Sequence, residues 1–241
     1  MGFMASPLSR IVLGLAVFAI NVLWSICSAP PQGTAAEPAR GTVKDHIGRP
    51  IHGGIYQLAA LSHATTGLYY AIVIYAYPSP PRLICPQSGF ARISNPELFT
   101  WSPFLATALF LAIFIAAPIR IAAFRNLGTN FTFMLREPDR LVTTGVHAYM
   151  QHPSYTALAI LMNAMLWIHV RFDGLAACWI PPSLLQPLIM VQPYMMVGGS
   201  IAIMGMFYVR VRDEERMLKA SFGKTWEEYN RQTKRFIPGV F

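Results

Sequence analysis

Five runs of nearly uninterrupted apolar residues constrain the fold of this 241-residue chain more than any other feature. The runs cover residues 11–29, 55–77, 101–119, 155–170 and 184–209. A helix of about 20 apolar residues crosses the ~30 Å hydrocarbon core of a bilayer, and the fourth run is the one that falls short of this length. No alternating pattern typical of a membrane β-barrel is visible, so each span has to satisfy its backbone polar groups as a helix. We therefore predict an all-α integral membrane protein with about five transmembrane helices.

The composition supports a membrane location. Hydrophobic residues make up 54% of the chain and charged residues 12%, about half of the roughly 25% that is usual in soluble domains. This excludes intrinsic disorder, which requires low hydrophobicity, and argues against a water-soluble globule. The net charge of +8 would suggest a nucleic-acid partner for a soluble protein. Here basic loops lying against anionic lipid explain it better, and we expect no nucleic-acid partner.

The connections between the runs differ in character. Residues 30–54 and 78–100 are rich in proline and read as loops, whereas residues 124–153 are polar. The tail after residue 209 is charged and is predicted to be helical. Pro193 lies early in the fifth run, and we expect it to kink that helix or to shorten its useful part.

Lysine and arginine are distributed unevenly over these connections. Fifteen of the 19 fall in residues 30–54, 120–153 and 209–241, which share one side if all five runs span the bilayer. Because cytoplasmic loops carry the excess of basic residues, we expect a cytosolic C-terminal tail and an N-terminus on the other side. Arg10, the first apolar run and the small residues 27–29 also resemble a cleavable signal peptide. Cleavage would leave the new N-terminus on the cytosolic side, where signal peptides do not deliver it, so we expect the first span to be retained.

The three cysteines, Cys27, Cys85 and Cys178, are widely separated and form no CxxC motif. This spacing is not typical of a disulfide framework or of a zinc site, and we expect no metal. A single Cys85–Cys178 bond is the alternative, if both residues face an oxidising compartment.

Residues 141–155 are the first of two segments in which polar residues concentrate. Gly145 permits a turn. Pro153 disfavours the helical conformation at His152 and can itself start the fourth span, because its missing N–H costs little in the first helical turn. The segment therefore holds an imidazole and the phenol of Tyr155 at the membrane boundary. A helix start with an interfacial aromatic residue is the simpler alternative.

Residues 210–223 form the second segment. Arg210 directly follows the fifth run, and Glu214 lies four residues later on the same face of the predicted helix. The acidic residues 213–215 stand against a basic background, which suggests a pocket for a cation beside an arginine that holds an anion. A solvated helix with ordinary ion pairs is the alternative. Gly223 is predicted to cap this helix.

Together the two segments resemble the isoprenylcysteine carboxyl methyltransferase family over roughly residues 120–241. The first segment supplies Leu141, Val142, Thr143, Gly145, Val146, His152, Pro153, Ser154 and Tyr155. The second supplies Arg210, Glu214, Glu215, Leu218, Phe222, Gly223, Trp226, Tyr229, Ile237 and Pro238. The chain departs from the family pattern at Asp139, His147 and Gln151, where the family has His, Tyr and Arg. Either the cofactor pocket is tuned differently or activity is weakened.

The resemblance implies a membrane methyltransferase that transfers a methyl group from S-adenosylmethionine to the C-terminal carboxylate of S-prenylated cysteine. It implies cofactor binding by Arg136, Asp139, Arg140, Leu141, Val142, His147, His152, Pro153, Ser154, Tyr155 and Glu214. It also implies that Arg210 binds the substrate carboxylate and that Arg210 and Glu214 are the catalytic residues.

The resemblance extends to organisation and partners. Residues 1–123 would form a three-helix membrane region with two proline-rich loops, and residues 124–241 a methyltransferase-like region whose cytosolic C-terminal helices complete the pocket. The implied partners are prenylated CaaX proteins or small prenylcysteines together with the lipid bilayer, and the implied location is the endoplasmic reticulum.

Three alternatives stay open. A phospholipid or small-amine methyltransferase would need no arginine for a carboxylate and would tolerate loss of Arg210. A membrane sterol-reductase-like oxidoreductase shares Asp213, Glu214 and Trp226 and would depend on NADPH. A non-enzymatic lipid-binding protein would not bind S-adenosylmethionine.

Overall fold

The computed structural model describes residues 6–29, 53–131 and 137–240, and these residues are predominantly helical. The α-helices are α1 (Pro7–Ser28), α2 (Gly53–Ala76), α3 (Phe90–Ile93), α4 (Pro103–Phe110), α5 (Ala117–Leu127), α6 (Pro153–His169), α7 (Pro182–Phe222) and α8 (Lys224–Gln232). Within the described ranges, extended pairing is limited to one isolated parallel bridge between Met150 and Lys234. The predicted all-α class is confirmed.

Four helical stretches in the described part of the chain are long and apolar enough to cross a bilayer. They are Pro7–Ser28, Gly54–Ala76, Pro96–Leu127 and Pro182–Phe222. Helix α6 corresponds to the fourth predicted span but has 17 residues, or about 26 Å at 1.5 Å per residue, against a core of ~30 Å. The chain is thus an integral membrane protein, and a fifth span through α6 stays a prediction.

The third span is longer than the apolar run that predicts it. Helices α4 and α5 are joined by a π-helical segment, Leu111–Ala116, which ends two residues before Pro118. Pro118 has no N–H to donate to a carbonyl of the preceding turn. The wider π-helical turn before it accommodates this missing hydrogen bond, so the helix continues past Pro118. It ends at Leu127 rather than at 119, and the prediction of a polar connection from residue 124 was wrong for its first residues. Arg120 does not end the helix because its guanidinium is buried and hydrogen-bonded.

Helix α7 continues through Pro187 and Pro193, so of the two expectations for Pro193 the shortening is wrong, and a kink stays a prediction. In a bilayer, neighbouring groups can re-satisfy the backbone that a proline frees. The helix also runs beyond 209 and is capped, as predicted, by Gly223 with φ +52°. The fifth predicted span and the charged segment that follows it therefore form one helix. This fixes the positions of Arg210 and Glu214 relative to the membrane-embedded part of α7.

Close contact between α1 and α2 defines the N-terminal half of the bundle. A Cβ on Gly14 would lie 3.2 Å from the Cβ of Ala71, and a Cβ on Gly67 would lie 2.9 Å from that of Asn21. The buried Asn21 amide nitrogen is 3.0 Å from Nε2 of His169 at the end of α6. These contacts lock α1, α2 and α6 into one apolar core.

A disulfide between Cys85 and Cys178 connects the proline-rich loop after α2 to the connection between α6 and α7. The alternative of a single disulfide is therefore what the structure shows, and Cys27 is free and buried. The two cysteines are 93 residues apart, so their spacing in the sequence does not predict the pairing. The two loops meet because they follow helices that end at the same side of the bundle.

Candidate functional site

One cavity lies at the end of α6 opposite the disulfide and gathers most of the predicted site residues. The predicted residues that line it are Arg140, Leu141, Val142, His147, His152, Pro153, Ser154, Tyr155, Arg210 and Glu214. Two segments more than 50 residues apart in the chain thus face one space.

Two predicted residues are placed differently. Arg136 lies outside the described residues. Asp139 is exposed and is not among the described residues that line the cavity. Its backbone N–H donates to Oδ1 of Asn130 at 3.0 Å. The side chain of a polar loop residue faces water unless the loop folds inward, which the sequence pattern does not reveal.

Arg210, Tyr155 and Glu214 form a polar group between α6 and α7. The buried Arg210 donates from Nε to the hydroxyl of Tyr155 at 3.3 Å. The carboxylate of Glu214 lies beside the same hydroxyl. Since Arg210 and Glu214 are four residues apart, one turn of α7 presents a cation and an anion to the same phenol. The arrangement can hold an anion beside a cation inside the cavity.

His152 begins α6 as the pattern predicts. Its φ of −123° and ψ of 55° are non-helical, and Pro153 occupies the first helical turn. The ring lines the cavity and is 3% exposed. Nε2 is 3.3 Å from the carboxylate of Glu215, while Nδ1 has no hydrogen-bond partner among the described residues. The cavity wall thus includes a buried imidazole beside the carboxylate of Glu215.

The turn before α6 holds His147 against α5 and α8. Gly145 adopts φ +58°, which a side chain would strain. Nδ2 of Asn126 lies 2.9 Å from Nδ1 of His147, and the hydroxyl of Tyr229 donates to the His147 carbonyl at 2.6 Å. Burial, and then the neighbouring His152, lower the pKa of His147 from 6.5 to about 4. The ring is therefore neutral at pH 7, and Nδ1 can accept from Asn126.

Acid should destabilise the protein through His147. Between pH 6.5 and about 4 the unfolded chain binds a proton that the folded ring does not, so stability is full above this window and falls as the pH drops through it. The loss amounts to about 3 kcal/mol at most. Thermal unfolding of wild type and His147→Gln in detergent checks this. Between pH 7 and pH 4.5 the Tm of wild type should fall by more than the Tm of the variant. Equal falls in Tm would contradict the assignment.

Sequence reasoning missed Arg120, which lines the cavity from α5. It is 2% exposed, donates from Nε to the Cys27 carbonyl at 3.1 Å, and donates from Nη1 to the Ser154 carbonyl at 3.3 Å and to the Ser154 hydroxyl. Its guanidinium lies 4.3 Å from the ring centroid of Phe124. The residues that follow Arg120 in the sequence are apolar, which indicates that Arg120 lies within a membrane helix. An ionisable residue in such a helix faces the bundle interior, and this pattern could have identified Arg120.

The remaining lining residues come from several elements. They are Leu127, Asn130, Phe131, Pro138, Gln151, Leu158, Met217, Leu218 and Tyr229. Of these, Gln151 stands where the resemblance places an arginine, and its amide donates to the backbone carbonyls of Thr233 and Asn230. A neutral side chain here satisfies carbonyls of the C-terminal segment.

Comparisons with known proteins find the family that the sequence resembles. The model of the isoprenylcysteine carboxyl methyltransferase family matches residues 107–180, which include α5, the cavity-lining residues between Arg140 and His152, and α6. A protein-S-isoprenylcysteine O-methyltransferase of Dictyostelium discoideum is 29% identical over 126 residues, 51% of this chain and 44% of the relative. One of Tribolium castaneum is 25% identical over 207 residues, 79% of this chain and 66% of the relative.

A third relative, protein-S-isoprenylcysteine O-methyltransferase B of Arabidopsis thaliana, is 24% identical over 53% of this chain and 56% of its own length. The chain therefore spans between about two fifths and two thirds of the curated relatives it matches. No solved structure matches. The family resemblance predicted from the sequence is confirmed.

Proposed function

We propose that this chain is a membrane methyltransferase that transfers a methyl group from S-adenosylmethionine to the C-terminal carboxylate of an S-prenylated cysteine, carried on CaaX-processed proteins or small prenylcysteines. The observation that carries the proposal is the meeting of Arg210, Tyr155 and Glu214 at a cavity whose other wall is the family-matched segment. Residues 124–241 supply most of this site, and residues 1–123 contribute Arg120.

The cavity residues suit S-adenosylmethionine, which carries a carboxylate, an ammonium, hydroxyls and an adenine ring. Glu214 offers a carboxylate for the ammonium, and Arg140 a guanidinium for the carboxylate. The half-buried Leu141 and Val142 offer an apolar surface for the ring. His152 contributes a buried imidazole to the cavity wall. When bound, the cofactor supplies an electrophilic methyl group.

The residues of the chain need only bind and orient. A C-terminal carboxylate has a pKa of about 3.5 and is ionised at pH 7, so no general base is required. The Nε–H of Arg210 donates to the hydroxyl of Tyr155, which orients the guanidinium at the cavity that the substrate carboxylate would enter. Orientation in a water-poor cavity can contribute about 7–11 kcal/mol at best. A lipid-soluble prenyl chain explains why the site lies beside membrane helices.

The proposal includes an orientation with the cavity on the cytosolic side of the endoplasmic reticulum. The basic residues concentrate in the segments at that end of the bundle. The Cys85–Cys178 disulfide lies at the other end of α6, and disulfides persist in oxidising compartments such as the lumen of this organelle. Charge and cysteine pairing therefore support the same orientation independently.

The test is methyl transfer from labelled S-adenosylmethionine to N-acetyl-S-farnesylcysteine in membranes that contain the chain. Base-labile methyl ester is expected, and none with the farnesylcysteine amide, which lacks the carboxylate. Label in phospholipid instead would favour an amine or lipid methyltransferase. No transfer to either acceptor and no cofactor binding would contradict the proposal.

A further inference from the structure

Asn126 connects the end of α5 to the turn that carries His147. It lies in the last turn of α5, is half-buried, and is not among the described residues that line the cavity. Its amide nitrogen Nδ2 donates to the carbonyl of Thr144 at 2.5 Å and lies 2.9 Å from Nδ1 of His147. One side chain of α5 therefore contacts the turn both at its first residue and at the histidine.

The turn is held in place from two sides. At Gly145 the Asn126 amide packs directly against the backbone, since a Cβ there would lie 2.7 Å from Oδ1 of Asn126. From the side of α8, the hydroxyl of Tyr229 donates to the carbonyl of His147 at 2.6 Å. The amide of Asn126 and the imidazole of His147 therefore keep a fixed relative position.

The Thr144 carbonyl determines how the Asn126 amide is oriented. A carbonyl oxygen only accepts hydrogen bonds, so the amide atom beside it has to be Nδ2 and not Oδ1. The second hydrogen of Nδ2 is then directed to Nδ1 of His147, which has to accept it. The His147 ring is neutral at pH 7, because burial lowers its pKa to about 4. A neutral imidazole accepts at one nitrogen and donates at the other, so its proton is on Nε2.

Nε2 is the polar atom that the His147 ring offers to the cavity. The ring lines the cavity, and Nε2 has no hydrogen-bond partner among the described residues. It is not one of the described nitrogens that are both unpartnered and fully enclosed, whereas Nδ1 of His152 is. The N–H of Nε2 is therefore accessible and can donate to a molecule in the cavity.

We infer that Asn126 is a positioning residue that fixes the neutral Nε2–H form of His147, so that the cavity offers a hydrogen-bond donor here to a nitrogen or oxygen acceptor of the bound molecule. Only the identity of that molecule, S-adenosylmethionine, rests on the proposed function, and its carboxylate, hydroxyls and adenine ring contain such acceptors. The inference also accounts for the departure from the family pattern at His147, because an Nε2–H replaces the hydroxyl donor of a tyrosine.

The direct test is Asn126→Asp, which keeps the shape of the side chain and removes its donor. A carboxylate only accepts hydrogen bonds, so the proton of the His147 ring should move to Nδ1 and Nε2 should become an acceptor. ¹⁵N NMR of the histidine rings in the purified, detergent-solubilised chain distinguishes the two forms, with the His147 signal identified by its loss in His147→Phe. Spectra are recorded at pH 8.5, so that the ring stays neutral beside the new carboxylate.

We expect the Nε2–H form in wild type and the Nδ1–H form in Asn126→Asp. An Nδ1–H ring in wild type would overturn the inference whether or not the variant folds. An unchanged ring in a folded Asn126→Asp would overturn it as well.

Binding of S-adenosylmethionine at pH 8.5 provides a second readout. Asn126→Asp should bind it about tenfold more weakly than wild type, because an acceptor on the ring then faces an acceptor on the ligand. Arg125→Gln is the matched control, since it lowers the net charge by the same amount at the neighbouring, exposed residue and should bind normally. His147→Phe has no Nε2–H to lose, so adding Asn126→Asp to it should cause no further loss.

The two backgrounds separate a positioning role from a structural one. Equal losses from Asn126→Asp in wild type and in His147→Phe would show that Asn126 acts through the fold alone, and would overturn the inference. Equal affinities of Asn126→Asp and Arg125→Gln would do the same. Wild type that binds no S-adenosylmethionine would contradict the proposed function, while the NMR spectra would still decide the role of Asn126.

Discussion

Arg210→Ala should lower kcat/KM for methyl transfer to a prenylcysteine by roughly 100-fold or more. The guanidinium is buried, and its Nε–H is held by Tyr155, so its position is fixed before the substrate arrives. Truncation removes the cation that would meet the substrate carboxylate. It also removes the positive charge beside Glu214, so this carboxylate would repel an anionic substrate.

Controls for Arg210 come from the same helix. Arg212→Ala removes an exposed arginine two residues further on and should leave transfer near wild type. Arg210→Lys keeps the charge but not the planar fork, so an intermediate loss is expected. Initial rates with N-acetyl-S-farnesylcysteine, together with equilibrium binding of S-adenosylmethionine, separate substrate from cofactor effects. Near-normal transfer by a folded Arg210→Ala would remove this residue from the site.

The parts of the site that follow from local rules could be predicted from the sequence. The helix start at Pro153 and the cap at Gly223 depend on backbone preferences of single residues, and the structure has both. The shared face of Arg210 and Glu214 follows from helical spacing, and both residues line the cavity. In each case the interaction lies within one turn, where periodicity is informative.

The parts that depend on tertiary packing could not be predicted. Arg120 was counted as a loop charge because the apolar run before it ends at 119, yet it is buried between α1 and α6. The Cys85–Cys178 pair depends on two loops meeting at one end of the bundle. The ion pair between Glu215 and Arg235 joins α7 to the segment after α8, and no sequence periodicity relates the two residues. A charge in a membrane helix indicates the bundle interior, but the partner it finds there is decided by the fold.

Arg120→Met should destabilise the protein by on the order of 3 kcal/mol or more, because it leaves buried acceptors without their donor. The carbonyl of Cys27 belongs to the last turn of α1, where no intrahelical N–H is available, and Nε of Arg120 satisfies it at 3.1 Å. Nη1 serves the carbonyl and hydroxyl of Ser154 in the first turn of α6. One guanidinium thus joins the end of α1 to the start of α6.

Thermal unfolding in detergent measures the effect, and a fall in Tm of about 10 °C is expected for Arg120→Met. Arg125→Met is the matched control, since this exposed residue lies on the same helix. Ser154→Ala removes the hydroxyl alone and should cost about 1 kcal/mol. Equal shifts for Arg120→Met and Arg125→Met would contradict the assignment. Because Arg120 also lines the cavity, the variant should lose cofactor binding at temperatures well below its Tm, which ties the packing of the N-terminal helices to the geometry of the site.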